Sequence, residues 1–348
     1  MRVVVLGATG NVGTSVLHAL GQGPGVEDIV GVARRAPSTR IPGVRWETAD
    51  VVRDDLVPLL RGASTVIHLA WLIQPSRDRA ATRAVNVGGS ARVLRAVAEA
   101  GVPALVYASS VGAYSPGPKD RRVDEGWPTG GIRTSFYSRD KAEVERMLDR
   151  FESERPDVRV VRLRPGLIFK REAGAEIRRL FAGPLLPTPL LRPRFIPLVP
   201  DVDRLRFQAV HSLDVGDAYR LAATGDARGA FNLAAEPVLD PAELGRLLRA
   251  RRVRVPAAAL RAAAALTWRL RLQPAPPGWV DLALGVPLMD TTRAHSQLGW
   301  RPRRSAGEAL QELLEGMRRG AGLATPPLEP GGAGPLRLRE LFTGVGAR

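Results

Sequence analysis

The chain of 348 residues contains no cysteine. This absence excludes disulfide bonds and any zinc or iron–sulfur site with cysteine ligands. The few histidines and the carboxylates also show no metal-ligand spacing, so we predict no metal site. Hydrophobic residues make up 45% of the sequence and charged residues 25%, which is typical of a folded globular protein of one or two domains.

Lysine is almost absent. Lys119, Lys141 and Lys170 are the only lysines, although Lys and Arg together number 51 against 35 Asp and Glu, a net charge of +16. The arginines are scattered, with no dense basic block and no interleaved aromatic residues, which favours a compositional bias over a nucleic-acid footprint. We therefore predict no nucleic-acid partner, and the remaining anionic ligand to consider is a cofactor phosphate.

Long hydrophobic runs are also absent. The most apolar stretch, residues 256–268, is too short to cross a bilayer and is interrupted by Arg261. Residues 1–6 lead directly into a glycine turn and do not have the pattern of a signal peptide. We expect a cytoplasmic protein that makes no membrane contact.

The first half of the chain alternates short apolar runs with helical patterns. Because strands buried on both faces read as continuous apolar runs, this alternation predicts an α/β fold with a parallel sheet and helices on both sides. The predicted strands are residues 3–6, 28–33, 64–69, 104–108 and 159–163. The predicted helices are residues 13–21, 84–100 and 136–151.

The second half is less regular. Residues 185–200 are rich in proline and leucine, which excludes a regular helix and favours a loop or a lid over a pocket. Helices are predicted at 240–251, with Asp240 as N-cap, and at 305–319. The stretch from Thr325 onward is a Pro/Gly-rich tail that we expect to fold back on the body.

A glycine-rich loop follows the first predicted strand. Its sequence is G-x-x-G-x-x-G and it leads directly into a helix. Glycines allow a tight turn and close approach of a pyrophosphate, and the helix start presents free N–H groups and its positive dipole end to that anion. We therefore predict a dinucleotide-binding loop formed by Gly7, Thr9, Gly10, Asn11, Val12 and Gly13.

The end of the second strand distinguishes the two nicotinamide dinucleotides. A carboxylate there would bind the ribose hydroxyls of NAD, but this sequence has Arg34 and Arg35. A guanidinium can hold a 2′-phosphate bidentately, so NADP is favoured and NAD is the alternative. Asp50, which precedes the predicted strand at 64–69, is placed to meet the adenine amine.

Tyr137 and Lys141 are four residues apart in a predicted helix and share one face. An ammonium beside a phenol stabilises the phenolate and lowers its pKa, so such a tyrosine can exchange a proton with a substrate oxygen. Ser110 follows a buried strand at the edge where α/β sheets bind ligands, and it can hold the reacting oxygen toward Tyr137. The adjacent Ser109 has a structural role in this interpretation.

These motifs together resemble those of the extended short-chain dehydrogenases/reductases, specifically the NAD-dependent epimerase/dehydratase family, over residues 1 to about 320. The match includes the glycine loop and the catalytic Ser110, Tyr137 and Lys141. Further segments match in order, namely Val66-Ile67-His68-Leu69-Ala70, Asn86-Val87-Gly88-Gly89-Ser90, Arg164-Pro165-Gly166-Leu167-Ile168-Phe169, His211-Ser212-Leu213-Asp214-Val215, Asp290-Thr291-Thr292-Arg293 and Leu298-Gly299-Trp300.

The resemblance implies a Rossmann-like doubly wound sheet with a smaller C-terminal α/β substrate-binding region. The nucleotide-binding domain would be residues 1–165, completed by about 207–232. The substrate-binding region would be 166–206 and 233–322, and 323–348 would be a tail. The resemblance also suggests a homodimer formed through the helices at about 90–100 and 136–151. It adds further cofactor-binding residues, namely Val51, Leu69, Ala70, Asn86, Ser109, Tyr137, Lys141, Pro165, Gly166 and Ile168. Among these, Lys141 would bind the ribose.

The sequence departs from the family pattern in two places. Residues 110–112 supply no acid or base, which argues against dehydration of a sugar. Residues 276–289 contain no arginine to hold a nucleotide-sugar pyrophosphate, although Arg192, Arg194, Arg204 or Arg206 could replace it. The Pro/Leu-rich loop suits an apolar substrate instead.

Three functions stay open. The first is an epimerase or oxidoreductase, with a nucleotide sugar as one substrate class. The second is an NADPH-dependent ketoreductase on an apolar substrate, similar to dihydroflavonol reductases or hydroxysteroid dehydrogenases. The third is a non-catalytic sensor of NADP.

Several other residues have a simple structural interpretation. We expect His68 to be structural, His211 to lie at the domain junction, and Asp124 and Glu125 to be solvated or capping residues. Trp268 and Trp279 either pack in the core or line a pocket.

Overall fold

A computed structural model of the chain describes residues 1–38, 41–74, 76–182 and 197–330. The strands, β1 to β14 in chain order, are Arg2–Leu6, Asp28–Ala33, Val44–Thr48, Thr65–His68, Ala104–Ala108, Arg122–Val123, Arg159–Pro165, Leu167–Phe169, Leu198–Asp201, Phe207–His211, Gly229–Leu233, Ala235–Leu239, Arg251–Arg254 and Leu288–Met289. The α-helices, α1 to α12, are Asn11–Gln22, Val57–Leu60, Arg79–Arg83, Ser90–Glu99, Phe136–Glu154, Gly174–Ile177, Ser212–Thr224, Pro241–Leu248, Ala257–Arg269, Gly278–Gly285, Thr292–Gln297 and Ala306–Arg319.

The main sheet has seven strands in the order β3-β2-β1-β4-β5-β7-β11. Every neighbouring pair is parallel. The order reverses at β1, so the crevice between β1 and β4 is the switch point at which α/β sheets bind ligands. The α/β fold with a parallel, Rossmann-like sheet is confirmed.

The main sheet is buried on both faces by two apolar cores. Alternate residues of β1 point to opposite sides, so Val3 and Val5 join the core under α1 and α7, while Val4 and Leu6 join the core under α4 and α5. All four side chains are fully buried. Double burial explains why these strands are continuous apolar runs in the sequence.

The predicted elements of the first half are present in the structure with small differences at their ends, whereas β3, β6, β8 and the short helices α2 and α3 were not predicted. The predicted helix at 84–100 is a π-helical segment, Ala84–Gly89, followed by α4. The Asn86 amide holds this segment against the backbone of Leu72, accepting from its N–H at 2.7 Å and donating to its carbonyl at 2.9 Å. A π-helical turn is frequent at functional sites, and this one lies beside the switch point.

A smaller layer is built from the second half of the chain. Strand β10 pairs with β8 in parallel and with β12 antiparallel, and α12 packs over this sheet. Two further parallel pairs are β9 with β13 and β6 with β14.

The predicted helix at 240–251 ends at Leu248, because Arg249 adopts a left-handed conformation and the chain then enters β13. Asp240 caps α8 as expected, accepting from the Glu243 N–H at 2.8 Å.

Part of the Pro/Leu-rich loop (183–196, with Arg192 and Arg194) and the tail from residue 331 lie outside the described residues. Among the helices of the described ranges, none is both long and apolar enough to cross a membrane.

Candidate active site

The glycine loop lies between β1 and α1 at the switch point of the sheet. Gly7 has a positive φ of 86°, and a Cβ there would lie 2.8 Å from the Ala70 nitrogen. A Cβ on Gly13 would lie 2.5 Å from the Gly7 carbonyl oxygen. A Cβ on Gly10 would meet only that same oxygen, at 3.7 Å, so Gly10 faces open space. Gly7 and Gly13 are therefore required by packing, whereas Gly10 leaves the loop open to a ligand.

The start of α1 offers polar groups that the protein itself does not use. Gly10 caps the helix without a side-chain hydrogen bond, and the first N–H groups of a helix have no partner within it. The Asn11 amide donates to the Ile168 carbonyl at 3.2 Å, while its buried Oδ1 has no partner among the described residues. An open turn, an uncapped helix start and an unpaired amide oxygen fit a bound pyrophosphate.

Lys170 supports this helix start from behind. Its ammonium donates to the Asn11 carbonyl at 2.9 Å and to the Thr14 hydroxyl at 2.7 Å, and only 4% of the residue is exposed. Burial lowers the pKa of Lys170 to about 8. No motif in the sequence marks Lys170 as part of this site, and the one signal that points to it is the scarcity of lysine in the chain.

Most of the other residues predicted to bind the dinucleotide follow the ends of main-sheet strands. Arg34 and Arg35 are exposed at the end of β2, and Asp50 follows β3 with Oδ1 accepting from the Val52 N–H at 2.9 Å. The Leu69 N–H donates to the Leu6 carbonyl, which holds residues 69–70 against Gly7. Val51 is buried against Gly89 in the π-helical segment that also carries Asn86.

The R-P-x-x turn closes the crevice on the other side. A Cβ on Gly166 would lie 2.4 Å from the Gln208 carbonyl oxygen, so only glycine allows β8 to leave β7 here and pass beside β10. Pro165 ends β7, and the Ile168 carbonyl accepts from Asn11. The structure therefore brings Ile168 to the glycine loop, while Gly166 packs against Gln208.

Tyr137 and Ser110 meet at a turn after β5. Ser110 caps the 3-10 turn Val111–Ala113, its hydroxyl accepting from the Gly112 N–H at 3.0 Å. A Cβ on Gly112 would lie 2.8 Å from the Tyr137 ring and 3.3 Å from the Ser110 hydroxyl. Gly112 therefore allows the phenol ring and the serine to share one small space. Burial raises the pKa of Tyr137, and a hydrogen bond with Ser110 opposes that rise.

Lys141 lies one turn after Tyr137 in α5 but is directed elsewhere. Its Nζ donates to the Ala108 carbonyl at 2.5 Å and lies 3.5 Å from the centroid of the Trp71 ring. Its distance to the centroid of the Tyr137 ring is 5.9 Å. Burial lowers the pKa of Lys141 to about 7. The expected lowering of the Tyr137 pKa by Lys141 is therefore absent from this arrangement, because burial dominates at both groups.

Aromatic rings surround Tyr137. The Trp279 ring lies 5.0 Å from it between centroids and the Trp71 ring 5.9 Å, while Phe181 packs against Trp279 at 5.0 Å. The indole N–H groups of Trp71 and Trp279 are buried without a partner in the described ranges. We call Trp71, Phe181 and Trp279 the aromatic wall. Trp279 thus lines the site. Trp268 does not, because its ring packs under the Arg77 guanidinium, with 4.3 Å between the Arg77 Cζ and the centroid of the Trp268 ring.

A buried ionic cluster lies behind the two serines. Glu145 is fully buried, accepts from the Ser109 hydroxyl at 2.5 Å, and is held bidentately by Arg164 at 2.8 and 2.9 Å. Arg162 also donates to Glu145, at 2.9 Å. The arginines hold the pKa of Glu145 down to about 2, against the upward effect of its burial. Ser109 is therefore tied to the helix that carries Tyr137 and Lys141.

The other residues named from the sequence make ordinary structural contacts. His68 is buried beside Ser90, and burial with the nearby Lys141 charge lowers its pKa to about 3, so it is neutral. His211 caps α7, and Glu125 accepts from the Asn232 N–H. Asp124 accepts from the Gly126 N–H, and Arg204 and Arg206 donate to backbone carbonyls.

Across the described part of the chain, no group of His, Asp and Glu could hold a metal ion.

Comparison with known proteins adds a family and a fold. The sequence profile described as the NAD dependent epimerase/dehydratase family matches residues 3–184. An uncharacterized protein of Mycobacterium tuberculosis is 27% identical over 346 residues, with 94% of this chain and 86% of the relative covered. A sterol-4-alpha-carboxylate 3-dehydrogenase (decarboxylating) of Saccharomyces cerevisiae is 32% identical over 139 residues, covering 40% of this chain and 38% of the relative.

A solved structure shares the fold over most of the chain. The UDP-glucose 4-epimerase of Thermus thermophilus, in complex with NAD, superimposes with a TM-score of 0.67 and 22% identity. The match covers 92% of this chain and 100% of the other. At this identity the likeness concerns the fold alone.

Proposed function

The chain belongs to the NAD-dependent epimerase/dehydratase family, and from this we propose that it is a nicotinamide-dependent oxidoreductase acting at an alcohol or carbonyl carbon of an apolar substrate. The observation that carries this proposal is the packing of Tyr137 and Ser110 around Gly112 beneath the aromatic wall. This arrangement combines a proton donor, a hydrogen-bonding hydroxyl and an apolar surface in one place.

Tyr137 is the proposed acid/base. Its buried phenol has a raised pKa, so it is protonated at neutral pH and can donate a proton to a carbonyl oxygen held by Ser110. In the reverse direction the same phenol oxygen accepts the proton of an alcohol. Lys141, whose pKa burial lowers to about 7, lies one turn away but is not directed at the phenol, so its proposed role is to bind the cofactor.

The crevice at the switch point is the proposed site of NADP, with NAD as the alternative. The unpaired Asn11 oxygen, the open Gly10 turn and the uncapped start of α1 would hold the pyrophosphate. Arg34 and Arg35 would meet the 2′-phosphate, Asp50 the adenine, and Lys141 the nicotinamide ribose. When bound, the nicotinamide supplies or accepts hydride at the substrate carbon.

The aromatic wall supports the apolar substrate class. Trp71, Phe181 and Trp279 offer ring faces and edges to a substrate beside Tyr137. The indole N–H groups of Trp71 and Trp279, which have no partner among the described residues, could each donate a hydrogen bond to an oxygen of the substrate. The limited similarity to a sterol dehydrogenase points in the same direction. Residues 110–112 supply no acid or base for dehydration.

Epimerisation of a nucleotide sugar is the second candidate. It is favoured by the fold shared with a UDP-glucose 4-epimerase over 92% of the chain. The two candidates differ in their use of the cofactor. A reductase changes the nicotinamide absorbance in proportion to product, whereas an epimerase forms product with no net change.

The test is turnover with NADPH and a panel of apolar ketones, with UDP-sugars assayed in parallel. Because general acid catalysis typically contributes 10²–10⁴-fold, we expect Tyr137→Phe to lower kcat by about 10² or more. The matched control is Tyr219→Phe, because Tyr219 is a buried tyrosine of α7 in the core under α1 and α7. Turnover of the UDP-sugars alone would favour epimerisation, and NADPH binding with no turnover that depends on Tyr137 would favour the non-catalytic sensor.

Two coarser proposals complete the assignment. We propose the division predicted from the sequence, in which residues 1–165 and about 207–232 bind the dinucleotide and 166–206 and 233–322 bind the substrate. We also propose a homodimer formed through the face that α4 and α5 share.

A further inference from the structure

The residues after α12 return to the dinucleotide crevice. The chain leaves the helix with the Ala321 N–H donating to the Gly316 carbonyl at 2.8 Å, and the Ala321 carbonyl accepts from the Ala175 N–H at 3.3 Å. The chain then crosses the glycine loop before it reaches Pro330. We call residues 321–330 the C-terminal strap.

The strap has a defined shape of its own. The Leu323 N–H donates to the Leu328 carbonyl at 2.8 Å, and the Leu328 N–H donates to the Thr325 carbonyl at 2.9 Å. The Leu328 side chain is fully buried. A Cβ on Gly322 would lie 2.1 Å from the Leu328 carbonyl oxygen, so the turn closes only with glycine at this position.

Two hydrogen bonds join the strap to two walls of the proposed cofactor site, namely the glycine loop after β1 and the segment after β2. The Thr325 hydroxyl donates to the Thr9 carbonyl of the glycine loop at 2.9 Å, and Thr325 is only 5% exposed. The Ser38 hydroxyl, in the segment after β2, donates to the Ala324 carbonyl at 3.2 Å. In a sheet of this order the pyrophosphate lies at the first wall and the adenosine ribose at the second.

We propose that the C-terminal strap is a third wall of the cofactor site, with Thr325 as a positioning residue that fixes the glycine loop relative to the segment after β2. This inference rests on the proposed binding of NAD(P). The strap holds the two walls at a set separation before the dinucleotide arrives, so less ordering is required on binding. The adenosine half binds beside the strap and dissociates slowly.

The test measures cofactor binding directly. NADPH is titrated into the full chain by its nicotinamide fluorescence, and its dissociation rate is followed by displacement with excess NADP⁺. Because Thr325→Val removes one buried hydrogen bond and leaves the Thr9 carbonyl unpaired, we expect the Kd to rise about fivefold, mainly through faster dissociation. Thr224→Val is the matched control, since that hydroxyl bonds only a carbonyl of its own helix, at 3.0 Å.

A second pair of variants tests the shape of the strap. Gly322→Ala forces the turn open and should weaken NADPH binding more than Thr325→Val does. Gly21→Ala, at a glycine with nothing within 4 Å of its Cβ position, should leave binding unchanged. Thermal unfolding of each variant without cofactor separates a loss of binding from a loss of folding.

The outcomes divide as follows. A higher Kd for Thr325→Val at an unchanged unfolding temperature supports the strap as a wall of the site. An unchanged Kd, or a lower unfolding temperature with normal binding, makes the strap purely structural and overturns the inference. Tighter binding would mean that the strap obstructs the crevice, which also overturns it. If the unaltered chain binds neither NADPH nor NADH, the proposed function itself fails.

Discussion

The three lysines are buried residues, although lysine is usually a surface residue. Lys119, Lys141 and Lys170 are 5%, 3% and 4% exposed, and each ammonium donates to at least one backbone carbonyl. Burial lowers their pKa values to about 7, 7 and 8. The scarcity of lysine in the sequence therefore marked three positions where a compact ammonium is held inside the fold.

We expect the free energy of unfolding to rise between pH 7 and pH 9.5. The unfolded chain keeps these protons throughout that range, because an unperturbed lysine titrates near 10.4, while the folded chain releases them above pH 7–8. Proton release then favours the folded state as pH increases. In urea unfolding, the rise measured for Lys119→Met should be smaller than that of the unaltered chain by about 3 kcal/mol. The exposed Arg150→Met should keep the full rise, and an equal slope in both variants would refute the argument.

The preference for NADPH over NADH is also expected to depend on individual residues. We expect the double replacement of Arg34 and Arg35 by alanine to raise the Kd of NADPH about tenfold or more, because two guanidinium contacts to a phosphate are lost. The Kd of NADH should change little. Arg45→Ala, an exposed arginine of β3, serves as the control. A preference for NADH in the unaltered chain would contradict the assignment.

At the scale of residues, the sequence predicts the helix that carries two of the motif residues but not the surroundings of their side chains. The helical spacing of Tyr137 and Lys141 correctly placed them on one helix, because it depends only on local geometry. Trp71 was missed, since its contact with the Lys141 ammonium joins residues far apart in sequence. The charge state of Tyr137 depends on burial, which the sequence pattern does not contain.

At the scale of elements, α5 is attached to the main sheet by charge as well as by apolar packing. Glu145 binds arginines of β7 and Ser109 at the end of β5, so one carboxylate links a helix to two strands. The cluster is buried, and its charges are compensated by ion pairs within the protein rather than by solvent.

We predict that Glu145→Gln lowers the free energy of unfolding by about 3–5 kcal/mol, because it leaves the buried Arg164 without a carboxylate partner, whereas Arg162 keeps Asp149 and Glu152. Glu154→Gln, at the exposed end of α5, should change it by no more than about 0.5 kcal/mol. Chemical denaturation measures both. A cost for Glu145→Gln below about 1 kcal/mol would show that the cluster is replaceable.

The sequence predicted five strands of the main sheet, because each is largely an apolar run that packs on both sides. It did not predict β3, whose residues are partly exposed, or β11. It did not predict β9 or β13, which form a short pair of their own. Residues 251–254 are Arg-rich and exposed, and their extended conformation comes from pairing with residues 198–201. Such pairing depends on a distant partner, so local pattern does not reveal it.

At the scale of the whole molecule, the parallel sheet and the family follow from the order of motifs along the chain. The position of the strap does not, because Thr325 and Thr9 are 316 residues apart in sequence. The tail was expected to fold back on the body, but its contact with the glycine loop required the folded structure.

The proposed homodimer is tested on the whole molecule. Sedimentation equilibrium at micromolar concentration should give twice the chain mass of 37.5 kDa. The face beside α4 and α5 carries several arginines, including Arg139 and Arg146, so we also measure the mass at high salt, where surface charge is screened. A mass of one chain at both salt concentrations would contradict the proposal.

The buried lysines also determine where the folded protein can be cut. A protease specific for lysine needs an exposed, extended segment, yet Lys119, Lys141 and Lys170 are enclosed and Lys141 lies within a helix. Cleavage by such an enzyme therefore requires the surrounding structure to open first. The rate of lysine-specific digestion then reports the opening of the fold, while an arginine-specific protease, with 48 sites, reports local exposure of the surface.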